Sequence, residues 1–209
     1  MRSLDWYFDF LSTYCYLQFL ELDRLPADVE VRYRPILFAA VLNHFGNKGP
    51  GEIESKRRFV FRQLLWTSRQ QGIALRFPPH HPFNPLPPLR LAVALGATRA
   101  AVGEIFRFIW TEGRDVDAPD DWQALLARLG VTAEGARLSS PRTKQALKDN
   151  TDEAIARGVF GVPASVVAGE LFWGHDSMAM LLDFLQRPTV FDDAELRRVA
   201  DLPYGAGRR

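Results

Sequence analysis

The chain has 209 residues, 47% apolar and 24% charged, with a formal net charge of +1. That length supports a sizeable core, and so small a charge gives no field to gather nucleic acid or an anionic membrane. No apolar run approaches the ~20 residues that span a bilayer, and a single cysteine rules out an intramolecular disulfide.

Met1-Arg2-Ser3 passes straight into an apolar stretch without a leader-like segment, so no signal peptide is expected and the chain reads as cytoplasmic. Leu4, Trp6, Tyr7, Phe8 and Phe10 form an aromatic run of strand formers. Ser12-Thr13 follows, and helical periodicity starts at Tyr14, which makes the Ser/Thr pair an N-cap. Val29 to Arg34 alternates apolar and polar residues and is closed by Pro35, a second strand. Strand, helix and strand in so short a span is a βαβ unit with parallel strands.

Residues 36–45 predict a short buried helix ended by Gly46-Asn47, and 48–51 a loop. Residues 52–71 predict a helix with Phe61, Leu64, Leu65 and Ser68 inward and Gly72 as its stop. Residues 77–88 are too rich in proline for regular structure and read as a rigid connector, with Pro88 at a helix N1 position. Leu89, Ala92, Val93 and Gly96 give one helical face, and Val102, Ile105, Phe106, Ile109 and Trp110 the next. Asp117-Ala118-Pro119 opens a helix with Trp122, Leu125, Leu126 and Leu129 inward, and Ser140-Pro141 opens another that stops at Gly158.

Residues 164–168 predict a strand, Gly169-Glu170 a turn, and Leu171 to Trp173 the hairpin partner. Asp176 or Ser177 caps a last helix from Met178 to Gln186, and the tail from Pro188 to the closing Gly-Ala-Gly-Arg-Arg is expected to be poorly ordered. The order βαβ, about five helices, ββα predicts an α/β chain with one mixed sheet and a helical insertion, the short last strands pairing with the first two. The corresponding boundaries are 1–35 plus 158–187 for the sheet domain, 36–157 for the insertion and 188–209 for the tail.

Ser12-x-x-Cys15 has the spacing of a redox Cys-x-x-Cys pair with its first sulfur replaced by oxygen. Ser12 alone is an ordinary cap. As a functional group it is a hydroxyl that donates to a thiolate held at a helix N-terminus, and the thiol then has to come from a ligand. Cys15 takes the second, less accessible place and reads as a small core residue.

Val162-Pro163 follows a glycine-punctuated loop at the start of a strand, a natural place for a cis bond, although the sequence alone does not establish one. A cis bond there would offer the Val162 backbone to an extended peptide. Asp176 and Ser177 read as a cap or as a grip on an α-amino acid. Lys56, Arg57 and Arg58 read as a solvated face or, for Lys56, as a partner for a ligand carboxylate. Asn47 and Asn84 complete this polar set, Asn84 within the rigid connector. His44, His80, His81 and His175 show no metal spacing, so no metal is expected, and no nucleotide-binding glycine motif follows a strand.

Phe8-Asp9-Phe10-Leu11-Ser12-x-Tyr14-x-Tyr16-Leu17 resembles the signature of 2-hydroxychromene-2-carboxylate isomerases and the related kappa-class glutathione transferases, which are thioredoxin-like proteins of the DsbA type. Arg34-Pro35, Gly46-Asn47, Lys56, Leu75 to Pro78, Asn150-Thr151-x-x-Ala154, Gly158 to Pro163 and Phe172-Trp173-Gly174-x-Asp176 agree in order, over residues 4–186. The resemblance implies a glutathione-dependent cis–trans isomerase of an aromatic-degradation intermediate, commonly a homodimer. It places Ser12 on the glutathione sulfur, Val162 before cis-Pro163 on the cysteinyl backbone, Asp176 and Ser177 on the γ-glutamyl end, Lys56 on a carboxylate, and Asn47 and Asn84 on the side of an aromatic carboxylate substrate. The chain departs from the pattern at Thr13, where proline is usual, at Ser177, where arginine is frequent, and at Cys15. A kappa-type transferase, a thiol–disulfide oxidoreductase using Cys15 and a non-catalytic helical binding module are the competing readings.

Overall fold

The computed structural model describes residues 1–203 and residue 205. Its centre is a four-stranded mixed sheet in the order β2-β1-β3-β4. Strand β1 (Arg2–Phe8) runs parallel to β2 (Val29–Pro35), and helix α1 (Thr13–Glu21) forms the crossover between them. Strand β3 (Ala164–Val167) pairs antiparallel with β1, and β4 (Glu170–Trp173) with β3. Of the two late strands only β3 therefore meets the early pair, and β2 and β4 are left as edges. The hairpin turn is Ala168-Gly169, at φ 52° and 89°, one residue earlier than expected. A two-residue turn that matches the strand twist needs positive φ at both positions, so Glu170 is released into the ladder.

The insertion holds six helices: α2 (Phe38–His44), α3 (Glu54–Gln70), α4 (Leu86–Ala94), α5 (Arg99–Phe106), α6 (Pro119–Arg128) and α7 (Pro141–Ala156). The expected count of about five runs short because Gly96, at φ 70°, ends α4 and Thr98 caps α5 through the Ala101 N–H. Helix α4 starts at Leu86, so Pro88 lies in its first turn rather than at N1. The first-turn N–H groups have no intrahelical partner, which is why two prolines fit there. Residues 107–111 continue α5 as one π-helical turn.

Helix α8 (Met178–Gln186) follows a 3-10 turn at 175–177. The tail carries a helix that its composition concealed, α9 (Ala194–Ala200), started by the Asp193 carboxylate accepting from the Glu195 and Leu196 N–H groups. Of the expected disordered end, residue 204 and residues 206–209 lie outside the described part.

Alternation along β1 sends Leu4, Trp6 and Phe8 to one face and Ser3, Asp5 and Tyr7 to the other. On the first face Trp6 stacks on Phe8 at 4.7 Å, and both rings meet Phe106 of α5 at 6.2 and 5.7 Å. Sheet and insertion thus share one aromatic core. On the other face the Asp5 carboxylate, 2% exposed, receives Arg32 at 2.6 Å, Arg34 at 2.9 Å and Arg157 at 2.8 Å. Burial alone pushes this carboxyl up, and the hydrogen bonds from Arg34, Arg32 and Arg157 outweigh it and hold the group below its ordinary value of 3.8.

Asp5→Ala leaves Arg32 and Arg34 without their acceptor and Arg157 with Glu153 alone, at 3.4 Å. Because all three are partly exposed, we expect a loss of about 1–3 kcal/mol in urea unfolding near neutral pH, less than for a fully buried pair. The Asp5 contribution is present above the unfolded pKa and disappears as pH falls through the lower folded value. An unchanged unfolding midpoint at pH 7 would show that the cluster is stability-neutral.

Candidate active site

Strand β1 is followed by Asp9, whose buried side chain and carbonyl organise the next three residues. Its Oδ1 accepts the Leu11 N–H and its Oδ2 the Phe38 N–H, both at 3.0 Å, while its carbonyl accepts the Ser12 N–H at 3.1 Å. Burial pushes the Asp9 carboxyl up to about 6, although both N–H groups pull it down. The insertion takes the loop's carbonyls: Trp110 Nε1–H donates to Phe10 O at 2.8 Å, and His81 Nε2 lies 2.9 Å from Leu11 O.

Ser12 is the N-cap of α1, extended at φ −88° and ψ 112°, and its Oγ accepts the Cys15 N–H at 3.3 Å. The N–H groups of Thr13 and Tyr14 have no hydrogen-bond partner among the described residues. The Ser12 hydroxyl is a third donor at this helix end, and it also lies close enough to the Cys15 sulfur to pull that thiol's pKa down against burial. Cys15 is fully buried, and burial pushes its thiol far above the ordinary range. A thiol so placed is inert, which removes the support for an oxidoreductase built on Cys15.

The Val162-Pro163 bond is cis, and neither backbone group of Val162 has a backbone partner among the described residues. Pro163 O accepts the Gly174 N–H at 2.9 Å. Gly174 O accepts from Gln18 Nε2 at 2.9 Å and from the Ser177 hydroxyl at 2.8 Å. Gln18 is buried on α1 and takes the Trp6 indole N–H on its Oε1 at 2.7 Å. Strand β1, helix α1, the cis-proline loop and the 175–177 turn are thereby tied through one amide.

Ser177 is the N-cap residue of α8, but its hydroxyl does not cap the helix. The 3-10 turn runs directly into the helix, which leaves the hydroxyl to donate back to Gly174 O. Asp176 is exposed, and its charge, after burial, helps raise the Tyr14 hydroxyl above its usual pKa, so it faces the first turn of α1.

Lys56 is exposed on α3 and makes no ion pair among the described residues. Gln63, two turns on along the same helix face, lies 3.3 Å from the Tyr14 hydroxyl, so that face of α3 meets α1. Asn47 is exposed just after α2. The Asn84 side-chain oxygen accepts the Leu86 N–H at 3.1 Å and starts α4. No hydrogen bond among the described residues joins Asn47, Lys56 or Asn84 to Ser12.

The fold also groups residues that sequence spacing keeps apart. His80 lies between Asp117, 3.0 Å from Nε2, and Asp115, 3.6 Å from Nδ1, with metal-ligating atoms within 4.8 Å of one another. These groups bind each other and fasten the connector to the start of α6. Grooves of about 400 and 340 Å³ beside β2 and the Asp5 cluster include none of the residues discussed around Ser12. Asp9, Gln18, His81 and Trp110 support the site without having been singled out for it. A polar residue inside an apolar run is the signal that reveals Asp9 and Gln18; nothing local reveals the other two.

Two outcomes follow from the geometry. The Asp9 carboxyl, followed by carbon NMR, should titrate near 6. Its charged form costs on the order of 3 kcal/mol relative to the unfolded chain, so this group's contribution is lost as pH rises from about 4 through about 6. A midpoint at the ordinary aspartate value would mean that water reaches it. A Cβ on Gly161 would lie 2.4 Å from Trp173 Nε1. Gly161→Ala should therefore displace that indole and cost about 1–3 kcal/mol; unchanged Trp fluorescence and stability would contradict this.

Residues 3–186 match the model of the DSBA-like thioredoxin domain. The chain is 30% identical over 185 residues to 2-hydroxychromene-2-carboxylate isomerase of Pseudomonas putida, covering 85% of this chain and 91% of that protein. It is 26% identical over 205 residues to human glutathione S-transferase kappa 1, covering 88% and 91%. A solved 2-hydroxychromene-2-carboxylate isomerase superposes with a TM-score of 0.77 at 28% identity, covering 97% of this chain and all of that one. The described helices include none long and apolar enough to cross a membrane. The chain belongs to the DsbA-like thioredoxin family, in the group that holds the 2-hydroxychromene-2-carboxylate isomerases and the kappa-class glutathione transferases.

Proposed function

We propose that the protein is a glutathione-dependent cis–trans isomerase of an aromatic carboxylate intermediate of the 2-hydroxychromene-2-carboxylate type. The observation that carries this is the helix end at Ser12: a hydroxyl and two N–H groups without a partner among the described residues, at an N-terminus whose own cysteine is buried and inert. Such a donor set fits the sulfur of an incoming thiol. When bound, glutathione supplies a thiolate that adds reversibly to a conjugated carbonyl, so that a double bond becomes free to rotate before the thiol leaves.

The chain's own groups then have definite tasks. Ser12 donates to the sulfur, and the N-terminus of α1 lowers the thiol's pKa. The backbone of Val162, ahead of Pro163 and without a backbone partner among the described residues, pairs with the extended peptide. Asp176 holds the γ-glutamyl ammonium. Ser177, whose hydroxyl donates to Gly174 O at 2.8 Å, stands beside it at the γ-glutamyl end. Lys56 meets a carboxylate, and Asn47 and Asn84 line the substrate side. A homodimer working in the cytoplasm belongs to the same proposal.

A kappa-type transferase shares the thiolate and differs in releasing the conjugate; the likeness to human glutathione S-transferase kappa 1 keeps it as the second reading. Product analysis with a hydroxychromene carboxylate and glutathione separates the two. An isomerised carboxylate with glutathione recovered unchanged supports the first, and a stable adduct overturns it. Ser12→Ala should lower turnover by about 10–10³-fold, the scale of one lost stabilising donor. Full activity in that variant would reduce Ser12 to a helix cap.

A further inference from the structure

His81 reaches the Ser12 loop from 70 residues away in the chain. Its ring is edge-on to Phe61 and Phe83, with centroids at 5.4 and 6.2 Å, and tilted against Trp110 at 5.8 Å. Leu11 O only accepts, so the bond at 2.9 Å puts the proton on Nε2 and leaves Nδ1 bare. Nδ1 is buried and has no partner among the described residues. Burial pushes the ring's pKa down against the pull of the Leu11 bond, and the charges of Arg57 and His80 push the same way, so the ring is neutral at pH 7.

An aromatic box of this kind accepts phenylalanine without loss of packing. The imidazole instead leaves a buried nitrogen unmatched, which costs stability. What it gains is the Leu11 carbonyl. With Trp110 on Phe10 O, two successive carbonyls before Ser12 are gripped from the insertion, while Asp9 grips the N–H groups from the sheet side. We propose that His81 is a positioning residue of the thiol site: its bond to Leu11 O sets the Leu11–Ser12 peptide plane, and hence the direction in which the Ser12 hydroxyl and the Thr13 and Tyr14 N–H groups meet a sulfur. The ligand in this statement rests on the function proposed above; the loop geometry does not.

His81→Phe keeps the ring and removes the donor, and His81→Gln restores an amide N–H at similar reach. In the free full-length protein, amide exchange at Leu11 and Ser12, whose N–H groups are bonded to Asp9, should quicken about tenfold in His81→Phe and return toward wild type in His81→Gln. With glutathione bound, the ultraviolet thiolate band should titrate about one pH unit higher in His81→Phe, a tenfold loss of ionised thiol, and recover in His81→Gln. Unchanged exchange and titration in His81→Phe, or a folded His81→Gln protein that fails to restore them, overturns the proposal. If His81→Phe does not fold, His81→Gln decides alone: wild-type values support the donor role and altered values refute it. A wild-type protein with no thiolate band defeats the thiol reading and the ligand part of this proposal together. A normal wild-type band with an unshifted His81→Phe titration defeats this proposal only.

Discussion

The carboxamide of Gln18 is the constraint on which the geometry around Ser12 depends. The Trp6 indole can only donate, so it fixes Oε1 as the acceptor and forces Nε2 toward Gly174 O. A buried amide in this orientation cannot flip without stranding two polar groups, at about 1–3 kcal/mol each. Gly174 in turn donates to Pro163 O. The cis-proline loop and the Asp176 turn, more than 140 residues from α1 in sequence, are therefore seated against it by polar bonds with one allowed arrangement. Apolar packing of α1 and α8 on the sheet contributes more energy but does not select that register.

The helical insertion also holds the loop that leads to Ser12. It shares the Phe106 core with β1 and carries the two side chains that hold Phe10 O and Leu11 O. The loop leading to Ser12 thus has its carbonyls bonded from the insertion and its N–H groups bonded from Asp9. A loop tied on both sides presents donors in one direction, and preorganised donors stabilise charge with no reorganisation at the moment it forms. An insertion that moved as a separate lid would take His81 and Trp110 with it and slacken that loop.

The βαβ start, the glycine stops at Gly46, Gly72 and Gly158, and the Ser12 cap were legible because each depends on neighbours within a few residues. That the last two strands join the first two was legible from their shortness, but not that β3 alone meets β1, since pairing between distant strands leaves no local mark; the grouping of Ser12, Pro163 and Asp176 in one site was an expectation from the resemblance alone. The turn at Ala168-Gly169 went astray because alanine at φ 52° is held by the hairpin, not by its own preference. Helix α9 was hidden for a related reason: its whole surface is open to solvent or nearly so, and polar sequence there looks like a tail. His81 and Trp110 act through single bonds to carbonyls 70 and 100 residues away, and no spacing rule reports such contacts.

Why a serine should matter at a helix end that already attracts anions is a question of magnitude. The N-terminal field of an exposed helix stabilises an anion by about 0.3–1 kcal/mol, up to ~2 when partly buried. A hydrogen bond to a charged group contributes about 1.5–3 kcal/mol. Asp9 works against both: once it ionises near pH 6, it places a negative charge directly behind the loop. Its oxygens are already taken by Leu11 and Phe38, so it would repel the thiolate of the proposed function without bonding to it. The same carboxylate must nevertheless be there to hold those N–H groups. Above pH 6 the helix field is thus partly cancelled, and under the proposed function the Ser12 hydroxyl would be the larger attraction left for a sulfur anion. The two ionisations are coupled in the same way, since a bound thiolate raises the pKa of Asp9 as much as the Asp9 charge raises that of the thiol.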